Sequence, residues 1–333
     1  MKWTPILTIA AVLASSLATA PAATAAGETI KLDGSSTVFP ISEAVAEEFQ
    51  IARRGKVRVT VGISGTGGGF KKFCRGEIDI ADASRPISRS EMAACAGAGV
   101  RYIELPVAYD ALTVAVNPKN TWVDTLTLAE LKKMWEPAAQ GKVATWRDVN
   151  PKWPAQPLRL FGPGADSGTF DYFTEATVGK AKSSRGDFTA SEDDNVLVQG
   201  VGSDVNALAY FGYAYYAPNA AKLKAVRIVN SKGAAVAPSP QGVLDGSYEP
   251  LSRPIFIYVN AASAQRPEVK AFVEFYLGEG APLIEEVKYV PLARRAYELA
   301  LRNFRTGKVG TAFGGVTEVG LDVEAMLERE GKL

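Results

Sequence analysis

Four times along this chain, small hydroxylic residues, usually with glycine, stand between an apolar run of strand character and a stretch of helical spacing. The four turns are GSSTVFP (34–40), SGTGGG (64–69), ADASRP (81–86) and ADSGTF (165–170). Ile30 and Leu32 alternate before the first; after it Ile41, Val45 and Phe49 fall four apart, with Glu43, Glu47 and Glu48 opposite and Gly55 closing the stripe. VRVTVGISG alternates into the second, after which Phe70, Phe73 and Cys74 have helical spacing up to Gly76. Downstream of the fourth, Phe170, Phe173 and Thr174 mark a helical face that ends at Gly179. Ser88 with Glu91, and Thr127 with Glu130, have the spacing of capping boxes. Val269, Phe272, Val273, Tyr276 and Leu277 make a further helical stripe. Strands alternating with helices over such a length predict an α/β protein.

The first N–H groups of a helix lack intrahelical partners and carry partial positive charge, so each turn is an anion site in outline. Singly, each also reads as an N-cap or as a turn where glycine tolerates positive φ. Nucleotide binding fails on spacing: Phe70 stands after Gly69 where a Walker loop needs lysine, and it also takes the third glycine position of G-x-G-x-x-G. Lys71 and Lys72 read as a solvated helix face.

The segment 1–25 carries Lys2, an apolar stretch from Ile6 to Leu17 and Ala23-Thr24-Ala25, the pattern of a cleavable signal peptide with maturation at Ala26. With no cysteine at that point to take a lipid, a soluble periplasmic protein is expected. The two cysteines, Cys74 and Cys95, form a disulfide in an exported protein; the alternative is two buried thiols. Loss of Lys2 takes the formal charge from +1 to zero, which points to no nucleic acid and no anionic membrane. The 333 residues contain no histidine, which excludes Ser-His-Asp and Cys-His nucleophiles and His-based zinc sites.

The runs DGSSTVFPISEAVAEEF, SGTGGGFKKFCRGEIDIADASRPIS, WRDVNP, FGPGADSGTFDYFTEA and NALAYFGYAYY, in this order, resemble the phosphate-binding proteins of bacterial phosphate ABC importers. The resemblance implies a periplasmic-binding-protein-like fold of type II, two α/β lobes joined by a hinge of two crossovers. Lobe 1 is then 26–114 with 255–333, and lobe 2 is 115–254. It further implies a monomer that binds inorganic phosphate, docks on permease subunits in the inner membrane, and carries no cofactor, no metal and no catalytic residue.

Carried over residue by residue, the resemblance makes Thr37 and Val38 donors at the first helix, with Ser36 beside them, Ser64 a donor from the glycine turn, and Ser167, Gly168 and Thr169 donors from the opposite lobe. Some family members carry an arginine four residues before the serine of SGT; here that position is Pro163, and Arg85 is the expected replacement. Asp82 is the expected acceptor for the proton that phosphate carries and sulfate lacks, with Asp166 the alternative. The competing readings are another oxyanion such as sulfate, molybdate or tungstate on the same fold, and an exported phosphatase acting through Ser64 or Ser167.

Overall fold

The computed structural model describes Met1 and residues 28–315 and 323–332; the signal segment and its cleavage site lie outside the described residues. The strands that matter here are β1 (Glu28–Gly34), β2 (Val57–Ile63), β3 (Ile80–Ala83), β4 (Tyr102–Val116), β5 (Arg159–Pro163), β6 (Thr189–Ser191), β7 (Ala207–Gly212) and β8 (Ser252–Asn260). The helices are α1 (Phe39–Ala52), α2 (Gly65–Cys74), α3 (Arg89–Gly97), α4 (Leu128–Trp135), α5 (Gly168–Val178), α6 (Asp194–Ser203), α7 (Pro267–Leu277), α8 (Arg294–Arg305) and α9 (Val323–Glu330).

The main sheet runs in the order β2-β1-β3-β8-β4-β7-β5-β6. β1 is parallel to β2 and β3, and β5 is parallel to β6 and β7. Between these parallel blocks lie the antiparallel strands β8 and β4. β4 is buried along its length except at Tyr109, which explains its nearly unbroken apolar run.

The apolar residues separate into two main cores. One gathers Ile30, Phe49, Phe70, Ile80, Phe256, Phe272 and Leu327; the other gathers Leu112, Trp135, Trp146, Phe173, Tyr210 and Leu251. On β4 the first core ends at Ala108 and the second begins at Ala111; on the return the second ends at Leu251 and the first resumes at Ile255. The β4–β8 register shifts between Ile255 and Phe256, next to that change of core. Val269, Phe272, Val273, Tyr276 and Leu277 are the buried stripe of α7.

Both capping boxes form, at Ser88–Glu91 on α3 and Thr127–Glu130 on α4. Cys74 and Cys95 are disulfide-bonded, tying the end of α2 to α3 and removing the reading as two thiols. The start of α2 differs from expectation: the helix begins at Gly65, so the glycines form its first turns. A Cβ on Gly69 would stand 2.6 Å from Gly34 Cα and 2.9 Å from the Asp33 carbonyl, so glycine lets α2 lie directly on the end of β1. Neither lysine of this helix is simply solvated, for Lys71 pairs with Asp166 and Lys72 with Asp33. Among the described residues no helix is long and apolar enough to cross a membrane.

Candidate functional site

The starts of α1, α2 and α5 meet where the two cores face each other. Thr37, just before α1, places its hydroxyl 2.9 Å from that of Thr169 in the first turn of α5. The Ser36 carbonyl accepts from the Tyr215 hydroxyl at 2.7 Å, and the Thr37 carbonyl accepts from the Tyr289 hydroxyl. Those bonds anchor the turn by its carbonyls, and the Ser35 hydroxyl anchors it further by accepting Thr37 N–H at 3.1 Å. Val38 caps α1 and is fully buried.

From α2, Gly67 N–H donates to the Asp166 carbonyl at 2.7 Å, a backbone bond between the two halves. Thr66 and Ser84 share a hydroxyl contact of 3.2 Å, and Ser84 N–H donates to Thr66 Oγ1 at 3.1 Å. Gly168 lies over this pair: a Cβ there would stand 2.5 Å from Ser84 Oγ and 2.6 Å from Thr66 Oγ1. Ser167 caps α5, its hydroxyl accepting from Thr169 N–H at 3.1 Å and Phe170 N–H at 3.4 Å.

The guanidinium beside this cluster belongs to Arg253 on β8, 2% exposed. It donates to Thr169 Oγ1 at 2.6 Å, to the Gly168 carbonyl at 2.9 Å and to Asp110 Oδ2 at 3.2 Å, and Nε has no hydrogen-bond partner. Arg253 and Asp110 are paired residues in the β4–β8 register. Burial raises the Asp110 carboxyl above its usual range, against the pull of Arg253. Burial, with the charge of Asp110, pushes the neighbouring Asp194 up to about 7.

Asp82 is fully buried at the end of β3. Its Oδ1 accepts from Ser42 at 3.0 Å, its backbone carbonyl takes Ser35 N–H, and Oδ2 has no hydrogen-bond partner. Burial holds this carboxyl well above the usual range, Ser42 opposes that, and Asp33 adds to it.

Of the residues expected from the sequence, Ser36, Thr37, Val38, Ser167, Gly168 and Thr169 come together. Ser64 turns aside, donating to Asp33 on β1, and Thr66 is the hydroxyl of that helix facing Gly168. Arg85 passes Gly168 with its stem, but its guanidinium is engaged by Asp171, Glu91 and the Pro86 carbonyl. Asp166 sits at the rim in an exposed pair with Lys71. Arg253, Asp110 and Thr66 are the residues that reading the sequence missed. A lone arginine in the apolar strand SRPIFIYVN was the available sign.

A family model described as the PBP superfamily domain matches residues 19–279. The chain belongs to the PBP superfamily. Within it, the protein SphX of Synechococcus elongatus is 55% identical over 326 residues, covering 98% of this chain and 96% of that protein. The phosphate-binding protein PstS of Staphylococcus saprophyticus is 39% identical over 272 residues, covering 80% of this chain and 82% of that one. A crystal structure of a PBP-like protein from Clostridium perfringens, described as a phosphate ABC transporter substrate-binding protein with bound phosphate, is 25% identical with a TM-score of 0.67, covering 80% of this chain and all of that one. The PBP-like α/β architecture of two parallel blocks around β4 and β8 accords with these likenesses.

Proposed function

We propose that this protein captures inorganic phosphate between its two halves and hands it unchanged to the permease of an ABC importer. The observation that carries this reading is the buried meeting of Thr37 and Thr169 beside Arg253, where the positive ends of two helices from different cores and a guanidinium converge. Naming phosphate as the anion rests on relatives such as PstS.

In this reading the halves are two lobes, with the chain crossing between Ala108 and Ala111 on β4 and between Leu251 and Ile255 at β8, and β4 and β8 are the hinge crossovers. Ser36, Thr37 and Val38 donate from one lobe, Ser167, Gly168 and Thr169 from the other. Arg253, held by Asp110, supplies the guanidinium that Pro163 does not. Asp82 Oδ2 faces the ligand and, ionised, accepts a hydrogen bond from the phosphate O–H. The chain is exported, loses 1–25, and works as a soluble periplasmic monomer.

Calorimetric titration of the mature protein with phosphate, arsenate and sulfate tests this. One phosphate per chain, with no turnover of a chromogenic phosphate ester, is expected. Binding of sulfate or molybdate in place of phosphate would overturn it.

A further inference from the structure

We propose that Arg85 is a positioning residue: it latches the two halves together and sets how long the bound anion stays, without touching the anion. The proposal rests on the reading above only in taking phosphate as the probe.

Arg85 follows β3 and is 5% exposed. Two of its nitrogens meet the Glu91 carboxylate fork to fork, Nη1 to Oε2 and Nη2 to Oε1, each at 2.8 Å. Nη1 also reaches the Pro86 carbonyl at 3.0 Å, and Nε reaches Asp171 Oδ2 at 2.6 Å. A guanidinium has five N–H donors, and these four bonds leave no pair on one edge for a bidentate grip on an anion.

The two carboxylates are held very differently. Glu91 belongs to the same half as Arg85 and is fixed there whether or not the halves meet. It takes Ser88 N–H at 2.8 Å and the Ser88 hydroxyl at 2.7 Å, and its helix is tied to α2 by the disulfide. Burial opposes its ionisation, yet Arg85 and Ser88 keep its carboxyl below the usual range. Asp171 comes from the other half, in the first turn of α5, two residues beyond Thr169. Its Oδ1 has no hydrogen-bond partner, and the next cation, Lys182, is 3.8 Å from Oδ2. Burial keeps its carboxyl above the usual range, against Arg85 and Lys182.

Closure therefore changes the surroundings of Asp171 far more than those of Glu91. When the halves part, Arg85 stays with Glu91 and Asp171 returns to water. When they meet, one charge-assisted hydrogen bond draws the first turn of α5 onto the first half, bringing Ser167, Gly168 and Thr169 with it. A cavity of about 900 Å³ lies alongside, lined by Arg85, Glu91, Asp171 and Lys182, and gives water its route to the pair. The Lys71–Asp166 pair also joins the halves, but with side chains 61% and 38% exposed it is screened and contributes little.

The test is stopped-flow binding of inorganic phosphate to the wild type, Arg85→Gln, Asp171→Asn and the double variant. Each single change is expected to speed dissociation about tenfold with association altered less than twofold. The double variant should be no faster than either single one, because both remove the same bond. Multiplying effects, or wild-type dissociation in either single variant, would overturn the proposal, since a direct contact from Arg85 to the anion does not depend on Asp171. If Arg85→Gln does not fold, Asp171→Asn decides alone, because it leaves the Arg85–Glu91 pair in place. If the wild type binds no phosphate, the functional reading fails separately. The latch is then read from X-ray scattering of ligand-free protein, where Asp171→Asn should increase the radius of gyration and an unchanged radius counts against it.

Discussion

Thr37 and Thr169 lie 132 residues apart in the chain, yet their hydroxyls stand 2.9 Å from each other at the starts of two helices belonging to different cores. Neither position has meaning alone: each is a polar residue at an ordinary helix start. Together, in the proposed reading, they mark the gap an anion enters, with Arg253 donating to Thr169 from the side. The fold serves this one meeting, because the parallel blocks deliver strand ends and helix starts to the same edge and β4 and β8 connect the blocks.

Thr169→Val keeps the shape of this side chain and removes its hydroxyl, leaving the Arg253 donor without its acceptor. Phosphate affinity should fall at least tenfold, about 1.4 kcal/mol. Thr169→Ser should stay within threefold of the wild type. Calorimetry on the three proteins checks the order.

Arg253→Met leaves Asp110 buried without its counter-ion. Breaking a buried pair from one side costs about 3–5 kcal/mol, whereas removing both charges costs much less. Urea unfolding should show that loss in Arg253→Met and recovery of most of it in the double variant with Asp110→Asn. Phosphate binding should be lost in both, separating the part of Arg253 in the site from its part in the fold.

The alternation of strands and helices and both capping boxes were legible because they depend on local spacing. The start of α2 was not: GTGGG has low helix propensity and no apolar period, and what makes it helical is its approach to Gly34. Arg253 was only half legible for a related reason: the apolar strand SRPIFIYVN signals that it is buried but not what it meets. Only the register opposite Asp110 gives it a role. Arg85 was expected to hold the anion in place of the family arginine that Pro163 replaces here. The Glu91 already assigned to a capping box also takes its guanidinium, and sequence spacing gives no sign of that second contact.

Asp82 carries a dependence on pH whose sign follows from burial. Below about pH 4, the ordinary aspartate value, both native and unfolded chains hold its proton. Above that the unfolded chain releases a proton the native one retains, so this group's contribution to stability falls as pH rises, until the raised native value is passed. Asp82→Asn should therefore gain stability relative to wild type as pH increases from 4, measured by urea unfolding across that range. In the proposed site the ionised Asp82 carboxylate accepts a hydrogen bond from the phosphate O–H and repels sulfate, so sulfate should compete least at high pH in the wild type. In the Asn variant competition should be flat with pH; an unchanged slope would move the selectivity elsewhere.

Two glycines in equally tight places should respond in opposite ways to alanine. At Gly69 the obstacle is backbone of the same half, Gly34 Cα at 2.6 Å, and it is present in every conformation of the folded chain. Gly69→Ala should cost about 1–3 kcal/mol of stability, as overpacking does, seen as a lower urea midpoint. At Gly168 the obstacles are Ser84 Oγ and Thr66 Oγ1, across the gap between the halves, and they are met only on closing. Those hydroxyls are held by each other and by Ser84 N–H, so they yield little. Gly168→Ala should unfold at the wild-type midpoint without phosphate and lose at least tenfold in phosphate affinity. A lowered midpoint with full affinity would mean that Gly168 serves folding rather than closure.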